Sequence, residues 1–543
     1  MKLVKKVAAA LMSLLMVLLM IPTNALASSI TDSTTGTLNI TKEGSASTFA
    51  VYRLFDMSVA AGADAFTYTA NAKFSSFFSA AGAPTAKDIS GYDANQLKKF
   101  TADLRSYISG PDHLVGTTDD AVPATATETA VKTSGDTYTA TFNDIAIGYY
   151  LVVETATTGA RVASKDFLVS VPTGTTTGGV TNWNYNVTAK CKDSTVTFDK
   201  TIMKDDKDVD RVTQNIGDTI QYRLVADVPK YDPSAKDITF DISDIMSKGL
   251  TFETNSVEIV GIDGSGSDTT LTPSTDYTAT SAKNGKGETI ISIRFVYDNI
   301  KSYNSVRVYY RATLNQDAVI GSAGNPNEAY LIYTNNPDTK TTHETEHPRT
   351  YVYTFGIAIE KEDAANPQTK LSGAEFALLD STGTKKLAVY TYDASGKVVI
   401  INSPNTSVVT GPDGMVYFLG VKEGTYFIQE LKAPAGYSIL PGKIKVVITA
   451  VMGSDHQPTG DFTCTYSLND GEAKETSYTY ADSPANTLKI LAKFQIQNDQ
   501  GFILPGTGGI GTTIFTVTGI AIILVGCFMA SYLYLRKRRN SQH

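Results

Sequence analysis

The chain has 543 residues, of which 42% are hydrophobic and 10% aromatic, with three cysteines and a formal net charge of −8. This apolar content excludes an intrinsically disordered chain, and three cysteines cannot form a disulfide framework for a protein of this size. The acidic balance argues against a nucleic-acid partner, and the length predicts about three domains.

Both ends of the chain carry segments typical of secretion and membrane anchoring. Residues 1–27 begin with three lysines, continue as an apolar run and end in Ala-Leu-Ala, which predicts a signal peptide cleaved after Ala27. Near the other end, residues 514–535 form an uncharged run long enough to span a bilayer, and the basic residues 536–539 follow directly. We therefore expect the body of the chain to lie outside the cell.

Between these ends, short alternating runs of Val, Ile, Thr, Tyr and Phe are separated by turns rich in Gly, Asp, Asn and Pro. Such runs predict the strands of β-sandwiches, and we expect an all-β fold of three tandem Ig-like domains. We place these domains at residues 28–191, 192–350 and 351–503.

A small helical insertion is predicted in the first domain. Asp93 is the expected N-cap, Leu97, Phe100 and Leu104 form an apolar face, and Gly110 is the expected stop.

Three predicted strands of the third domain each place one polar residue on the same face as their apolar residues. These residues are Lys361, Glu430 and Asn498. Burial of such groups is costly unless they are paired, and it favours the neutral forms of the amine and the carboxyl group. A neutral amine beside a carboxamide, whose carbonyl a protonated carboxyl group polarises, can form a Lys–Asn isopeptide bond and release ammonia.

The second domain repeats this scheme with a shorter acid. Lys200, Asp244 and Asn327 each share a strand face with apolar residues. Asp241 is the alternative acid, but its position in the alternation puts it on the face opposite the neighbouring apolar residues. We therefore prefer Asp244 as the acid.

The first domain lacks one member of this set. Lys42 and Glu154 each lie on the apolar face of a predicted strand, but the closing strand places Asn184 and Asn186 on the face opposite Trp183. We expect no isopeptide bond in this domain, and at most an ion pair between Lys42 and Glu154.

Residues 343–347 read His-Glu-Thr-Glu-His and match the H-E-x-x-H pattern of zinc proteases. That chemistry needs both imidazoles on one face of a helix, whereas the flanking threonines and Pro348 disfavour a helix. We expect a solvated linker between domains at this point, and we expect no metal and no cofactor.

The reactive residues lie in segments that resemble known domains. Residues 424–437 resemble the E-box of collagen-adhesin B-type (CnaB) domains, residues 361 and 371–376 resemble their opening, and Asn498 resembles the end of their last strand. The second domain resembles the A-type (CnaA) middle domain of Gram-positive backbone pilins, where Asp replaces Glu. The resemblance implies Lys361–Asn498 and Lys200–Asn327 bonds, with Glu430 and Asp244 as the catalytic acids.

Residues 183–192 resemble the pilin motif WxxxVxVYPK, with Trp183, Val187 and Lys192 in register. In that family the motif lysine is the nucleophile that joins one subunit to the next. Because this sequence has Lys190 where the motif has Tyr, Lys190 stays an alternative to Lys192.

A segment resembling the LPxTG cell-wall sorting signal precedes the C-terminal span. It consists of Leu504, Pro505, Gly506, Thr507 and Gly508. The motif, the apolar span and the basic tail follow one another in the order typical of Gram-positive surface proteins. The resemblance implies that a sortase cysteine attacks the Thr507 carbonyl and releases the chain from Gly508 onward.

These resemblances together imply the major backbone pilin of a sortase-assembled Gram-positive pilus, attached covalently to the cell wall. Such a chain is a structural subunit rather than a turnover enzyme. The implied partners are pilus-type and housekeeping sortases, identical subunits, tip or basal minor pilins and peptidoglycan, with a host ligand left open. The alternative is a wall-anchored or ancillary adhesin that binds host matrix and does not polymerise.

Overall fold

The computed structural model describes residues 34–539, except residues 45, 60–64, 178–179, 192–193, 232–234, 394–395, 402–406, 482–488 and 502–509. Three β-sandwich domains follow one another along the chain and precede one long C-terminal helix. The fold confirms the predicted all-β class with a helical insertion in the first domain. The expected signal peptide, Lys192 and the sorting signal lie outside the described residues.

The first domain is built on two facing sheets. Its strands are β1 (Thr35–Glu43), β2 (Thr48–Val59), β3 (Phe66–Ala70), β4 (Ala126–Thr129), β5 (Val131–Ser134), β6 (Thr137–Ala146), β7 (Gly148–Ala156), β8 (Phe167–Val171), β9 (Thr173–Thr177), β10 (Val180–Asn184) and β11 (Asn186–Lys190). One sheet has the order β11-β1-β6-β5 and the other β3-β2-β7-β8 with β4 beside β2, while β9 and β10 form a separate hairpin. Leu38, Phe142 and Val152 are buried in the core between the sheets.

Three helices cover the outer face of the second of these sheets. They are α1 (Ser75–Phe78), α2 (Ala86–Ser90) and α3 (Ala94–Ile108), and a 3-10 turn at Ala72–Phe74 precedes them. The predicted N-cap is confirmed, because the Asp93 carboxylate accepts a hydrogen bond from the Gln96 N–H at 2.8 Å. The helix α3 ends at Ile108, before the expected stop, and it buries Phe100 and Leu104 in a second core.

The middle domain is a sandwich of two larger sheets around one core. Its strands are β12 (Phe198–Lys204), β13 (Lys207–Val209), β14 (Arg211–Thr213), β15 (Thr219–Asp227), β16 (Phe240–Met246), β17 (Leu250–Phe252), β18 (Glu258–Ile262), β19 (Asp268–Thr270), β20 (Tyr277–Lys283), β21 (Thr289–Phe295), β22 (Ser305–Leu314), β23 (Asn325–Asn336), β24 (Thr341–Glu344) and β25 (Arg349–Tyr353). The sheet orders are β13-β12-β15-β22-β18-β19, with β17 beside β22, and β14-β25-β23-β16-β21-β20, with β24 beside β23. A 3-10 turn at Thr254–Ser256 and the helix α4 (Tyr297–Ile300) complete the domain.

The third domain is again a sandwich of two sheets. Its strands are β26 (Phe355–Asp363), β27 (Glu375–Leu379), β28 (Val389–Tyr392), β29 (Val398–Ile401), β30 (Val408–Val409), β31 (Met415–Val421), β32 (Gly424–Lys432), β33 (Lys443–Met452), β34 (Pro458–Leu468), β35 (Lys474–Glu475), β36 (Ser477–Ala481) and β37 (Lys489–Asn498). The sheet orders are β29-β28-β31-β26-β37-β36 and β30-β27-β32-β33-β34-β35. The helix α5 (Ile510–Arg539) follows, and within the described residues it alone is long and apolar enough to cross a membrane.

The sheets set the domain boundaries slightly differently from the sequence. The strand β25 pairs with β14 and β23 of the middle domain, so that domain extends to Tyr353 rather than ending at residue 350. The strand β11, which ends at Lys190, pairs in parallel with β1 and is the last strand of the first domain.

Neighbouring domains contact each other directly. Arg105 of α3 forms ion pairs with Asp166 of the first domain, at 2.5 Å, and with Asp338 of the middle domain, at 2.6 Å. At the other junction, Leu419 and Leu491 of the third domain pack into the apolar core of the middle domain. Val162 of the first domain also packs into that core, so both junctions bury aliphatic side chains, and the first adds the ion pairs of Arg105.

Candidate functional site

The third domain brings its predicted trio together in the core. The strand β26 pairs in parallel with β37 in one sheet, and β32 lies in the facing sheet. Side chains alternate along each strand, so Glu430 points inward with its apolar neighbours Tyr426 and Ile428. Lys361, Glu430 and Asn498 are all buried.

The three side chains of this site form a closed set of contacts. The Lys361 ammonium donates to Asn498 Oδ1 and lies 3.7 Å from Glu430 Oε1. Asn498 Nδ2 donates to Glu430 Oε1 at 2.9 Å and to Oε2 at 3.2 Å. Glu430 therefore faces the amide nitrogen of Asn498, and not the carbonyl oxygen that we expected it to polarise.

Burial changes the protonation of the third-domain lysine. Removal from water disfavours the charged form and lowers the pKa of Lys361 to about 8, although the neighbouring Glu430 carboxylate opposes this change. A larger fraction of the amine is therefore unprotonated near neutral pH than in an exposed lysine, and only that form has a lone pair free to attack a carbonyl carbon.

The middle domain brings Lys200 of β12, Asp244 of β16 and Asn327 of β23 into its core. Lys200 Nζ donates to Asp244 Oδ2, and burial lowers the pKa of this lysine despite the carboxylate beside it. Asp241 faces away from the site and lies 3.7 Å from Arg294. The contacts therefore favour Asp244 over Asp241 as the acid.

Tyr310 is a fourth member of the middle site that sequence reasoning missed. Its hydroxyl accepts from Lys200 Nζ at 2.7 Å and from Asn327 Nδ2 at 3.0 Å, and it donates to Asp244 Oδ2 at 2.5 Å. Its ring stacks on that of Tyr222, with centroids 5.2 Å apart. A tyrosine at a buried position of β22, whose other buried positions are aliphatic or alanine, was the available signal.

The first domain contains an ion pair without an asparagine. Lys42 Nζ contacts Glu154 Oε1, and both side chains are buried. Thr157 donates to Glu154 Oε1 at 2.7 Å, and the Ser164 N–H and hydroxyl donate to Oε2 at 2.6 and 2.7 Å. These donors compensate the buried carboxylate.

The asparagines of the closing strands lie elsewhere in the first domain. Asn184 Oδ1 accepts from the Asn186 N–H at 2.9 Å, and the exposed Asn186 side chain accepts from Asn39 at 2.8 Å. Neither contact brings an asparagine side chain to the Lys42–Glu154 pair.

The pilin-motif region is described only in part. Trp183 packs edge-on against Phe66, with ring centroids 4.6 Å apart, and Val187 is buried beside β1. Lys190 is exposed and its Nζ lies 3.2 Å from Glu43 Oε1. Lys192 and the sorting residues 504–508 lie outside the described residues.

The His-Glu-Thr-Glu-His segment is part of a hairpin, so our expectation of an interdomain linker was wrong. Its first two residues belong to β24, which pairs with β23. His347 stacks on Tyr330, with ring centroids 4.5 Å apart, and its two nitrogens lie 2.8 Å from Glu328 and 2.6 Å from Glu344. No helix presents the two histidines together, and no group of metal-ligating side chains is found within the described residues.

Comparisons with known proteins extend over most of this architecture. Residues 216–337 match the family described as Gram-positive pilin backbone subunit 2, Cna-B-like domain, where we expected the A type, and residues 355–457 match a prealbumin-like fold domain. The chain is 26% identical over 462 residues to the trypsin-resistant surface T6 protein of Streptococcus pyogenes serotype M6, covering 74% of this chain and 81% of that protein. It is also 26% identical over 503 residues to fimbrial subunit type 1 of Actinomyces viscosus, covering 82% and 84%.

A solved structure shows the same fold. The T6 backbone pilin of Streptococcus pyogenes serotype M6, described as a modular three-domain structure, aligns with a TM-score of 0.52 and 22% identity over 86% of this chain and 99% of that one. The chain thus carries a domain that matches a Gram-positive pilin backbone family, and over most of its length it is similar to a streptococcal surface protein and to a fimbrial subunit.

Proposed function

We propose that this chain is the structural subunit of a covalent surface pilus shaft. The observation that carries the proposal is the relationship to a surface T6 protein and a fimbrial subunit over 74% and 82% of the sequence. The three-domain fold of the T6 backbone pilin supports it. The sorting motif, the apolar helix α5 and its basic end supply the expected route to the cell wall.

Polymerisation joins the C-terminal end of one subunit to the first domain of the next. A pilus sortase cleaves between Thr507 and Gly508 and holds the Thr507 carbonyl as a thioester. The Lys192 amine of another subunit attacks this carbonyl, forms an isopeptide bond and releases the sortase thiol. A housekeeping sortase transfers the last subunit to peptidoglycan, and minor pilins occupy the tip or the base.

Each of the two later domains forms its own internal bond once, so the chain is not a turnover enzyme. In the third domain the neutral Lys361 amine attacks Asn498 Cγ. Nζ gives one of its two hydrogens to Glu430 as a proton, the Cγ–Nδ2 bond breaks, and Nδ2 leaves as ammonia after receiving a proton from Glu430, whose oxygens lie 2.9 and 3.2 Å from it. Lys200 and Asn327 form the corresponding bond in the middle domain and also release ammonia, with Asp244 as the acid of that site.

An immunoblot of cell-wall extracts from a host that carries the cognate sortases tests the shaft function. We expect a ladder of high-mass bands from the wild type and a single wall-attached band from Lys192→Ala, because the cleaved thioester then has only the wall precursor as its acceptor. Lys190→Ala is the matched control and keeps the ladder.

Three outcomes contradict parts of this assignment. A ladder that persists in Lys192→Ala and is lost in Lys190→Ala makes Lys190 the nucleophile. A ladder in both single variants would show that neither lysine alone is required for polymerisation. A wild type without any ladder would favour a non-polymerising adhesin.

A further inference from the structure

The two internal sites differ in how the acid meets the leaving nitrogen. In the third domain, Glu430 reaches Asn498 Nδ2 directly with both oxygens. In the middle domain, the shorter Asp244 uses Oδ2 for Lys200 and Tyr310, and its Oδ1 has no hydrogen-bond partner among the described residues. The acid of the middle site therefore makes no direct contact with the nitrogen that must leave.

The phenol of Tyr310 occupies the intervening position. It lies 3.0 Å from Asn327 Nδ2 and 2.5 Å from Asp244 Oδ2, and it also meets the attacking nitrogen of Lys200 at 2.7 Å. One hydroxyl thus contacts the nucleophile, the acid and the leaving group, and its own O–H is directed at the acid.

We propose that Tyr310 is a catalytic residue of the middle-domain isopeptide bond, whose hydroxyl passes to Asn327 Nδ2 the proton that Asp244 cannot deliver directly. The inference rests on the proposed internal bond of the middle domain. It adds Tyr310 to the lysine, the acid and the asparagine that take part in forming this bond. Tyr310 and Asp244 together perform the role that Glu430 performs alone in the third domain.

The proton balance of the step is closed. Asp244 first takes a proton from the Lys200 ammonium, which leaves a neutral amine. The Nζ lone pair then forms a bond to Asn327 Cγ, the Cγ–Nδ2 bond breaks, and the Tyr310 proton moves to Nδ2, which departs as ammonia. The phenol oxygen recovers a proton from Asp244, and Asp244 takes one of the two hydrogens of Nζ, which keeps the other as the new amide N–H.

The environment of Tyr310 suits this role. Burial and the neighbouring Asp244 raise the pKa of Tyr310 well above its usual value, so the phenol keeps its proton until the leaving nitrogen takes it. Stacking on Tyr222 fixes the ring, and Tyr310 is itself buried, which keeps competing water away from the hydroxyl.

The test is the mass of the soluble chain, residues 28–503, purified at successive times after expression, with peptide mapping to locate each bond. We expect Tyr310→Phe to slow formation of the Lys200–Asn327 bond by roughly 100-fold or more, which is the usual effect of losing a proton-transfer group. The Lys361–Asn498 bond should form normally in the same molecules, and it serves as an internal control.

Two further variants keep the result specific. Tyr309→Phe changes a neighbouring tyrosine of β22 whose alternation directs it to the opposite face, and this variant should form the bond at the wild-type rate. Tyr222→Phe keeps the stacked ring and removes its hydroxyl, and it should slow the bond far less than Tyr310→Phe does. Circular dichroism checks folding, and Tyr310→Met, which also lacks the hydroxyl, replaces the phenylalanine variant if that variant does not fold.

Three outcomes would contradict different parts of the proposal. A Tyr310→Phe chain that forms the middle bond within tenfold of the wild-type rate overturns the role of Tyr310 and leaves the internal bond itself intact. Loss of the bond in Tyr222→Phe but not in Tyr310→Phe would show that the Tyr222 hydroxyl, and not the Tyr310 hydroxyl, transfers the proton. A wild-type chain without the middle bond overturns the internal bond and the role of Tyr310 together.

Discussion

Each of the three domains contains a buried lysine, and the side chains around this lysine differ from one domain to the next. Lys42 meets a glutamate held by serine and threonine donors, whereas Lys361 meets a carboxamide and an acid. Lys200 meets an acid and the Tyr310 hydroxyl, and that hydroxyl contacts the carboxamide of Asn327. A buried ammonium is costly unless it is paired, and the bond proposed at the two sites with an asparagine would remove the charge altogether. The presence of an asparagine in the buried cluster thus distinguishes the two proposed reactive sites from the ion pair of the first domain.

Glu430→Ala should abolish the bond of the third domain and leave that of the middle domain intact. The substitution removes the carboxyl group that contacts the leaving nitrogen of Asn498, and the middle site lies in another core. The soluble chain should then lose one ammonia molecule instead of two, as measured by intact mass. Glu472→Ala, at an exposed position of the same domain, is the control and should lose two.

A Glu430→Ala chain that still loses both ammonia molecules would show that Glu430 is structural. Another acid would then serve the third domain.

At the level of elements, the period of two along a strand explains what the sequence could predict. The burial of each lysine, acid and asparagine of the two proposed sites could be predicted because a few neighbouring apolar residues define the buried face of its own strand. Tyr310 was missed because its role depends on which side chains face it across the sandwich. The β23–β24 hairpin was missed because its threonine-rich sequence has no buried face, and its pairing to β23 fixes it.

The contacts of His347 predict that this hairpin responds to pH. Hydrogen bonds that the imidazole donates to Glu328 and Glu344 raise the pKa of His347 above its ordinary 6.5, so the protonated imidazole is the form that ties the segment to β23. The stabilisation is therefore complete below pH 6.5 and is lost as the pH rises through the raised pKa. The side chain is partly exposed, so the effect is local and sensitive to salt.

Limited proteolysis measures this effect when wild type and His347→Gln are compared at the same pH, which cancels the pH dependence of the protease. The variant should be cut faster than the wild type near pH 5.5, and at the same rate near pH 8.5. His343→Gln, which changes an imidazole at the edge of the Tyr333 ring, should show no such pH-dependent difference. A ratio independent of pH in His347→Gln would contradict the account of the hairpin.

Across the whole molecule, the proposed bonds connect strands that are distant in sequence. Lys361 and Asn498 are 137 residues apart, and a link of this length removes about 4–5 kcal/mol of unfolded-state entropy by analogy with disulfides. The sequence predicted three sandwiches and their order, but not how they join. Arg105 and Asp338, which form an ion pair, are 233 residues apart, and no local sequence pattern predicts such a contact.

The intact mass of the wild-type soluble chain, residues 28–503, tests the internal chemistry most directly. The geometry of the Lys200 and Lys361 sites predicts a mass lower than the formula mass by two ammonia molecules, with the links mapped to Lys200–Asn327 and Lys361–Asn498. Within the described residues no carboxamide is hydrogen-bonded to the side chains of the Lys42–Glu154 pair, which should contribute nothing. A deficit of three would show a bond in the first domain, and a chain of unchanged mass would contradict both internal bonds.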